Sequence, residues 1–255
     1  MEIGSTLGGR YLIQAHLAGE VWAAEDTRSG RRVAVKRLSG PPGPAVRLRH
    51  PGIATVLAVG EHDGTPFLAM ELLDGYTLDD HLLDGGYDTA QVAHYGAQVA
   101  DALAVAHRAG ASHGRIEPAQ LQLTRAGALK ILGLGTVPPP HSPDLAALGA
   151  TLDELLRRPA PPGSPGELGT LISELRNAPA EHDPQLTAAY AARLRRLADE
   201  PAPAEPPARL RRPPVARTFW IDRRPGRMLL GRVLAGVILA GLIAVTAYAI
   251  TVTAA

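Results

Sequence analysis

The residues with the clearest chemical potential fall in three short stretches: "VAVKRL", with Lys36; "SHGRIEPAQLQL", with His113, Arg115, Glu117 and Gln120; and "ALKILGLG", with Lys130 and Gly133. Lys36 stands out because only it and Lys130 are lysine among 26 basic residues. A lysine and an arginine brought together can make a metal-free phosphate site, the planar guanidinium supplying charge that a divalent cation otherwise would. Lys36 and Arg115 are candidates for that role. The competing reading is a surface lysine on a strand and a solvated arginine tied to Asp144. For proton abstraction the carboxylates on offer are Glu117 and the more distant Asp144. The nine histidines show no HExxH-like spacing and there is no cysteine, so neither a metal centre nor a disulfide scaffold is expected.

These residues sit in a chain of 255, long enough for one folded domain with an appendage. A net charge of +1 gives no field suited to nucleic acid, and no nucleic-acid partner is expected. The start, "MEIGSTLGGRYLI", lacks the features of a signal peptide. Val233 to Ala255 runs 23 residues without a charge. As a helix it is about 34 Å long at 1.5 Å per residue, enough to span a bilayer core of ~30 Å. A buried core helix is the alternative. Arg211, Arg212, Arg217, Arg223, Arg224, Arg227 and Arg232 all precede the span, which places the preceding domain on the cytoplasmic side. Phe219 and Trp220 either lie at the headgroup boundary or dock on the domain. Residues 199–214, "DEPAPAEPPARLRRPP", read as a semi-extended linker.

The elements that must position the candidate residues change character midway. From Tyr11 to Leu73, "RYLIQAHL", "GEVWAAED", "RRVAVKRL", "IATVLAVGEHDG" and "TPFLAMELL" are short apolar runs divided by turn residues, predicting an antiparallel meander. From Asp88 the period becomes helical. "DTAQVAHYGAQVADALAVAHRAG" predicts a helix capped by Asp88 and stopped at Gly110. A second helix is predicted from the cap Ser142 with Pro143 at its first position, and a third from Thr187.

In order and spacing these stretches resemble the bacterial Ser/Thr protein kinase family, of an actinomycete-like kind, over about Leu7 to Leu197. "VAVKRL" resembles the strand whose lysine, here Lys36, holds nucleotide phosphates. "RLRHPGIATVLAVGEHDGTPFLAMELLDGYTLDDHL" resembles the run into the hinge, with Glu71 and Leu72 or Leu73 where backbone groups would meet adenine. "ASHGRIEPAQLQLTRAGALKILGLG" aligns with the catalytic loop and metal motif without a gap. "DLAALGATLDELL" resembles the central helix of the large lobe, whose Asp144 would prop the catalytic loop, and His113 would be a buried scaffold histidine.

The resemblance fails at the reactive positions. Where the family has His-Arg-Asp, this chain has His113, Gly114, Arg115, so a cation replaces the base. The family's metal-binding Asn appears as Gln120, one methylene too long. Its Asp-Phe-Gly appears as Gly133, Leu134, Gly135, with no carboxylate for Mg²⁺. "HLAGEVW" retains Gly19 alone of the phosphate-loop glycines. "LSGPPGPAVRL" stands where a helix should carry the partner glutamate of Lys36. About eight residues separate Gly135 from Asp144, too few for an activation segment.

The resemblance therefore implies an α+β, two-lobed kinase-like fold: an antiparallel β lobe over residues 1–74, a helical lobe over 75–198, a linker over 199–232 and a transmembrane helix over 233–255. It implies a degenerate member of the family, a pseudokinase, catalytically inactive and held at the cell membrane with its domain in the cytoplasm. The implied cofactor is none, or ATP bound weakly without metal through Lys36. Implied partners are a cytoplasmic or membrane protein, such as a forkhead-associated module or a lipid-II flippase in cell-envelope signalling. Thr136 and Ser142 are candidate modification sites. The alternatives are a residual phosphotransferase using Glu117 or Asp144, and a structural anchor with no ligand pocket.

Overall fold

The computed structural model describes residues 1–82, 87–136, 143–156, 166–179 and 183–198. The linker 199–232, the apolar segment 233–255, Phe219, Trp220 and the expected cap Ser142 lie outside the described residues. Among those described, no helix is long and apolar enough to cross a membrane.

Six strands form the first sheet: β1 (Thr6–Leu7), β2 (Tyr11–Ala18), β3 (Val21–Asp26), β4 (Arg31–Arg37), β5 (Val56–His62) and β6 (Thr65–Glu71), in the order β1-β2-β3-β4-β6-β5. All pairs are antiparallel. In β2 Tyr11, Ile13 and Ala15 are buried while Leu12 and Gln14 are less so, the period-2 pattern of a strand with one face on a core. The predicted strands form, but not as a simple meander: β4 pairs with β6, and β5 is left at the edge. Apolar content decides this order. Phe67, Leu68, Ala69 and Met70 of β6 are all buried, whereas Leu57 and Val59 of β5 tolerate exposure. The β5–β6 turn is tight, with positive φ at both Asp63 and Gly64, as a two-residue hairpin turn requires.

The pleat of β4 sets the site. Val33 and Val35 enter a cluster with Tyr11, Trp22 and Phe67, while Ala34 enters the opposite one with Leu38, Val46, Leu68 and Met70. Lys36, two residues after Ala34, shares that second face. The connection from β4 to β5, rich in Pro and Gly, forms only a 3-10 turn, Pro44–Arg47, whose Ala45 and Val46 are buried.

The second half contains α1 (Leu78–Leu82), α2 (Thr89–Arg108), α3 (Asp144–Leu156), α4 (Glu167–Arg176) and α5 (Pro184–Leu197). A small sheet joins β7 (Tyr76–Thr77), β8 (Leu121–Leu123) and β9 (Leu129–Ile131). At the start of α2, Asp88 accepts the Gln91 N–H at 2.8 Å and the Gln91 side chain accepts the Asp88 N–H at 3.1 Å. This reciprocal cap fixes the predicted boundary. α5 starts at Pro184 rather than Thr187, because Asp183 accepts the N–H groups of Gln185 and Leu186 and Pro184 needs no donor partner. α4, unanticipated in the sequence, buries Leu168, Leu171, Ile172 and Leu175 at helical spacing. Gly96 lets the helices meet closely: a Cβ there would lie 2.9 Å from the Leu152 side chain.

The halves are stitched behind the hinge. Ile131 N–H donates to the Gly52 carbonyl, and Ala54 N–H donates to the Ile131 carbonyl, both at 2.9 Å.

Candidate functional site

The loop from His113 to Gln120 is held from below by one carboxylate. Asp144, at the start of α3 and 2% exposed, accepts the Gly114 N–H at 2.7 Å on one oxygen. Its other oxygen receives the His113 N–H at 2.8 Å and pairs with His107 Nε2 at 2.9 Å. Burial alone would raise this carboxyl, but the hydrogen bonds from His107 and the two backbone N–H groups outweigh it and hold it below the ordinary carboxylate range. His113 is itself buried. Its Nδ1 lies 3.2 Å from the Arg115 N–H and its Nε2 lies 2.7 Å from the Leu132 carbonyl, so Nδ1 accepts and Nε2 donates. Burial pushes its pKa down, matching that neutral tautomer.

Arg115 does not reach Asp144. It pairs with Glu117 at 3.0 Å, and its side chain is 60% exposed. The oxygens of Asp144 already serve backbone donors and His107, and they lie too deep for a solvated guanidinium. The two carboxylates considered for proton transfer are thus both engaged.

Lys36, Gln120, Gly133 and Thr136, from three different segments, meet at one point. Gly133 has φ +80°, and a Cβ built on it would stand 3.2 Å from Thr136 Oγ1, 3.3 Å from Gln120 Oε1 and 3.5 Å from Lys36 Nζ. Lys36 Nζ donates to Thr136 Oγ1 at 2.8 Å, and that hydroxyl donates to the Gly133 carbonyl at 2.7 Å. Among the described residues no carboxylate pairs with Lys36. Burial lowers its pKa, and the nearby Arg115 lowers it further. The donor set around Gly133 is therefore an ammonium, a hydroxyl and one neutral amide oxygen, and it does not suit Mg²⁺, which seeks several oxygens including carboxylates. Among the described residues no three His, Asp or Glu side chains cluster in a way that could hold a metal ion.

The turn after this point abuts the shortened regulatory segment. Gly43 N–H donates to the Gly135 carbonyl at 3.0 Å, and a Cβ on Gly135 would come within 3.0 Å of the Val46 nitrogen. A 10 Å³ void remains beside Val46, Met70 and Thr136, room for about one water molecule.

At the hinge, Glu71 ends β6. Its carboxylate accepts the Thr55 N–H at 2.6 Å and pairs with Lys130 Nζ at 2.7 Å. Burial raises this carboxyl, but Lys130 and Thr55 outweigh the effect and lower it. The Leu73 carbonyl lies 3.4 Å from Gln122 Nε2, so a polar side chain of β8 touches the hinge backbone. Sequence reasoning missed the parts played here by Thr136 and Gln122. Gln122 carried a signal, as the one polar residue between Leu121 and Leu123; Thr136, 100 positions from Lys36, carried none.

No family model matches the chain. It is 34% identical over 157 residues to the serine/threonine-protein kinase PknA of Mycobacterium tuberculosis, covering 52% of this chain and 36% of that one. It is also 34% identical over 158 residues to the probable serine/threonine-protein kinase SCO3848 of Streptomyces coelicolor, covering 53% and 24%. The chain thus spans about a third or less of these curated relatives. The kinase domain of M. tuberculosis PknI superposes with a TM-score of 0.61 at 23% identity, covering 77% of this chain and 99% of that domain. The homologues of this chain are bacterial Ser/Thr protein kinases, and its fold is kinase-like, with an antiparallel sheet lobe and a helical lobe.

Proposed function

We propose that this homologue of the bacterial Ser/Thr kinases is a catalytically silent regulatory domain, a pseudokinase that binds a protein partner. Segment 233–255 anchors it to the cell membrane with the domain in the cytoplasm. The observation that carries this reading is the Gly133 locus: an ammonium and a hydroxyl converge where phosphoryl transfer needs acids and Mg²⁺. Arg115 occupies the position of the base, and the two carboxylates considered as replacements, Glu117 and Asp144, are both engaged.

Magnitudes support silence over slowness. A general base contributes about 10²–10⁴-fold and each electrostatic stabiliser about 10²–10³-fold. Losing the base, both metal ligands and the phosphate loop removes roughly 10⁶-fold even with non-additive effects. A turnover of about 1–100 s⁻¹ becomes about 10⁻⁶–10⁻⁴ s⁻¹. The residual-phosphotransferase reading has the kinase homologues in its favour, but the carboxylates it would use are engaged, Glu117 by Arg115 and Asp144 by the loop backbone.

Lys36 keeps the capacity for a weak, metal-independent contact with ATP phosphates. The resemblance suggests a partner of the forkhead-associated type or a lipid-II flippase, within cell-envelope signalling. The test is thermal unfolding of the full chain with ATP, with and without Mg²⁺, alongside transfer of labelled γ-phosphate. The expected outcome is that Mg²⁺ adds nothing to any ATP-induced shift and that no label is transferred. Mg²⁺-dependent stabilisation, or transfer abolished by Lys36→Met, overturns the proposal.

A further inference from the structure

The face of the first sheet turned away from Lys36 carries a cavity of its own. We propose that this cavity binds a small carboxylate bearing one ring, with Arg37 taking the charge and Leu7 and Phe67 taking the ring.

The cavity has a volume of 240 Å³ and lies between the N-terminal stretch, the end of β4 and the β5–β6 hairpin. Its floor is apolar. Leu7 and Phe67, both buried, belong to the cluster of Tyr11, Trp22 and Val35 and not to the one on the Lys36 face. Its rim is polar, with Ser5, Arg37, His62 and Thr65. The pairing of β4 with β6 sets Arg37 beside Phe67, and the hairpin sets His62 beside Thr65, since directly paired residues share a face.

The walls are held from outside the cavity, so no ligand is needed to form it. β1 pairs with β2; ahead of it Gly4 N–H donates to the Ile13 carbonyl at 2.8 Å, and Ile13 N–H donates to the Ser5 carbonyl at 2.9 Å. Arg37 N–H donates to the Glu20 carbonyl at 2.9 Å, and Arg37 Nε donates to the Glu20 carboxylate at 2.6 Å. The Phe67 ring is seated against two glycines: a Cβ would stand 2.4 Å from the ring at Gly60 and 3.0 Å from it at Gly8. Tyr11 meets that ring edge-on at 5.8 Å. A preformed site of this kind spares the ligand the cost of ordering it.

Size and charge define the ligand. An apolar cavity of about 150 Å³ accommodates benzene, so this one takes a six-membered ring with a carboxylate. It falls below the roughly 300–1,000 Å³ that larger ligands occupy. Glu20 takes the Nε of Arg37, and the Nη edge remains as a planar fork that matches a carboxylate. Ser5 gives its proton to the Glu2 carbonyl at 2.6 Å, which leaves the Thr65 hydroxyl and the His62 ring as donors beside Arg37. Asp63, the acidic residue of the rim, has a side chain 89% exposed and 3.6 Å from His62 Nε2, so solvent screens it. With Glu20 and Asp63 both near, the rim suits one negative charge and not the two of a phosphate monoester. The inference stands whether or not the domain transfers phosphoryl groups, because the cavity and Lys36 lie on opposite faces of the sheet.

The test titrates the full chain with 4-fluorobenzoate and follows ¹⁹F NMR line broadening. Saturable binding of one molecule per chain is expected, with Kd about 1 mM or tighter. Arg37→Met removes the charge and Thr65→Trp fills the space; each should weaken binding at least about tenfold, the scale of one hydrogen bond to a charged group. Circular dichroism checks that both variants fold, and either one suffices for the comparison. 4-Fluorobenzyl alcohol and 4-fluorophenyl phosphate should bind several-fold more weakly, and neither ATP nor Lys36→Met should change the benzoate affinity. Failure to saturate by about 10 mM overturns the site. Unchanged affinity in the folded variants, or displacement by ATP, overturns its location. The alcohol binding as tightly as the benzoate overturns the part given to Arg37, and the phosphate binding as tightly overturns the carboxylate class.

Discussion

Removing the Asp144 carboxylate should cost the domain a large fraction of its stability, and the size follows from what that group holds. Asp144→Ala strands the N–H groups of His113 and Gly114, now bonded at 2.8 and 2.7 Å, together with one nitrogen of His107. Each buried donor left unpaired costs about 1–3 kcal/mol, so at the low end for the backbone donors plus the broken pair the loss is about 4 kcal/mol. For a domain of this size that lowers the midpoint by about 8–16 °C. Asp144→Asn keeps an acceptor for some of these donors and should fall in between. The pH arm has a fixed sign. The folded carboxyl lies below its unfolded value, so its contribution is present above the unfolded pKa near 4 and disappears as pH falls through the lower folded value. Thermal and urea unfolding of the wild type and both variants from pH 3 to 7 would measure this. Wild type should lose its advantage over Asp144→Asn on the acid side. An Asp144→Ala midpoint within about 2 °C of wild type at pH 7 would refute the view that this residue carries the loop.

Two further outcomes follow from the lobe contacts. Gly135→Ala should destabilise by about 2 kcal/mol, combining the left-handed backbone penalty with the approach to Val46, whereas Gly127→Ala, at φ +83° in open space, should cost only about 1 kcal/mol. Amide exchange at Gly43, which donates to the Gly135 carbonyl, should quicken in the first variant and not the second. Lys130→Ala should cost about 1–2 kcal/mol by leaving the partly buried Glu71 carboxylate with Thr55 alone. That loss should shrink as pH falls and Glu71 protonates, as unfolding titrations would reveal.

The strand pattern and the α2 boundaries were legible because they rest on local signals: period-2 burial in β2, a short apolar run bounded by arginines in β4, and the Asp88–Gln91 cap. α4 gave weaker notice, since Gly166 at its start offers no side chain to cap it. The third helix was predicted to start at Thr187, which lies inside α5. In the structure its hydroxyl donates back to the Asp183 carbonyl and meets His107 Nδ1 at 2.9 Å, so it is buried polar wiring inside α5. The edge position of β5 depended on a competition between two strands for the centre of a sheet, which no local window contains. The same holds for the site. The sequence identified which acids were missing, but the new partners of the groups they left come from distant segments.

Those partners bear on function. Deleting acids from a working cleft would by itself leave a buried ammonium unsatisfied and a gap beneath the shortened regulatory segment, each at a cost of a few kcal/mol. The ammonium is partnered, and the gap is reduced to a 10 Å³ void with room for about one water molecule. Lys36 has the Thr136 hydroxyl, Ala45 and Val46 close onto Gly135, and Gly43 bonds its carbonyl. Gly135 accepts this contact only because it has no Cβ, and Gly133 leaves room for the hydroxyl for the same reason. The cleft is therefore rebuilt around its losses, and the rebuilding preserves the joint between the lobes; among the described residues no three His, Asp or Glu side chains cluster to hold a metal ion. Such repairs fit the proposed scaffold role, in which a shape read by a partner depends on the joint between the lobes staying closed.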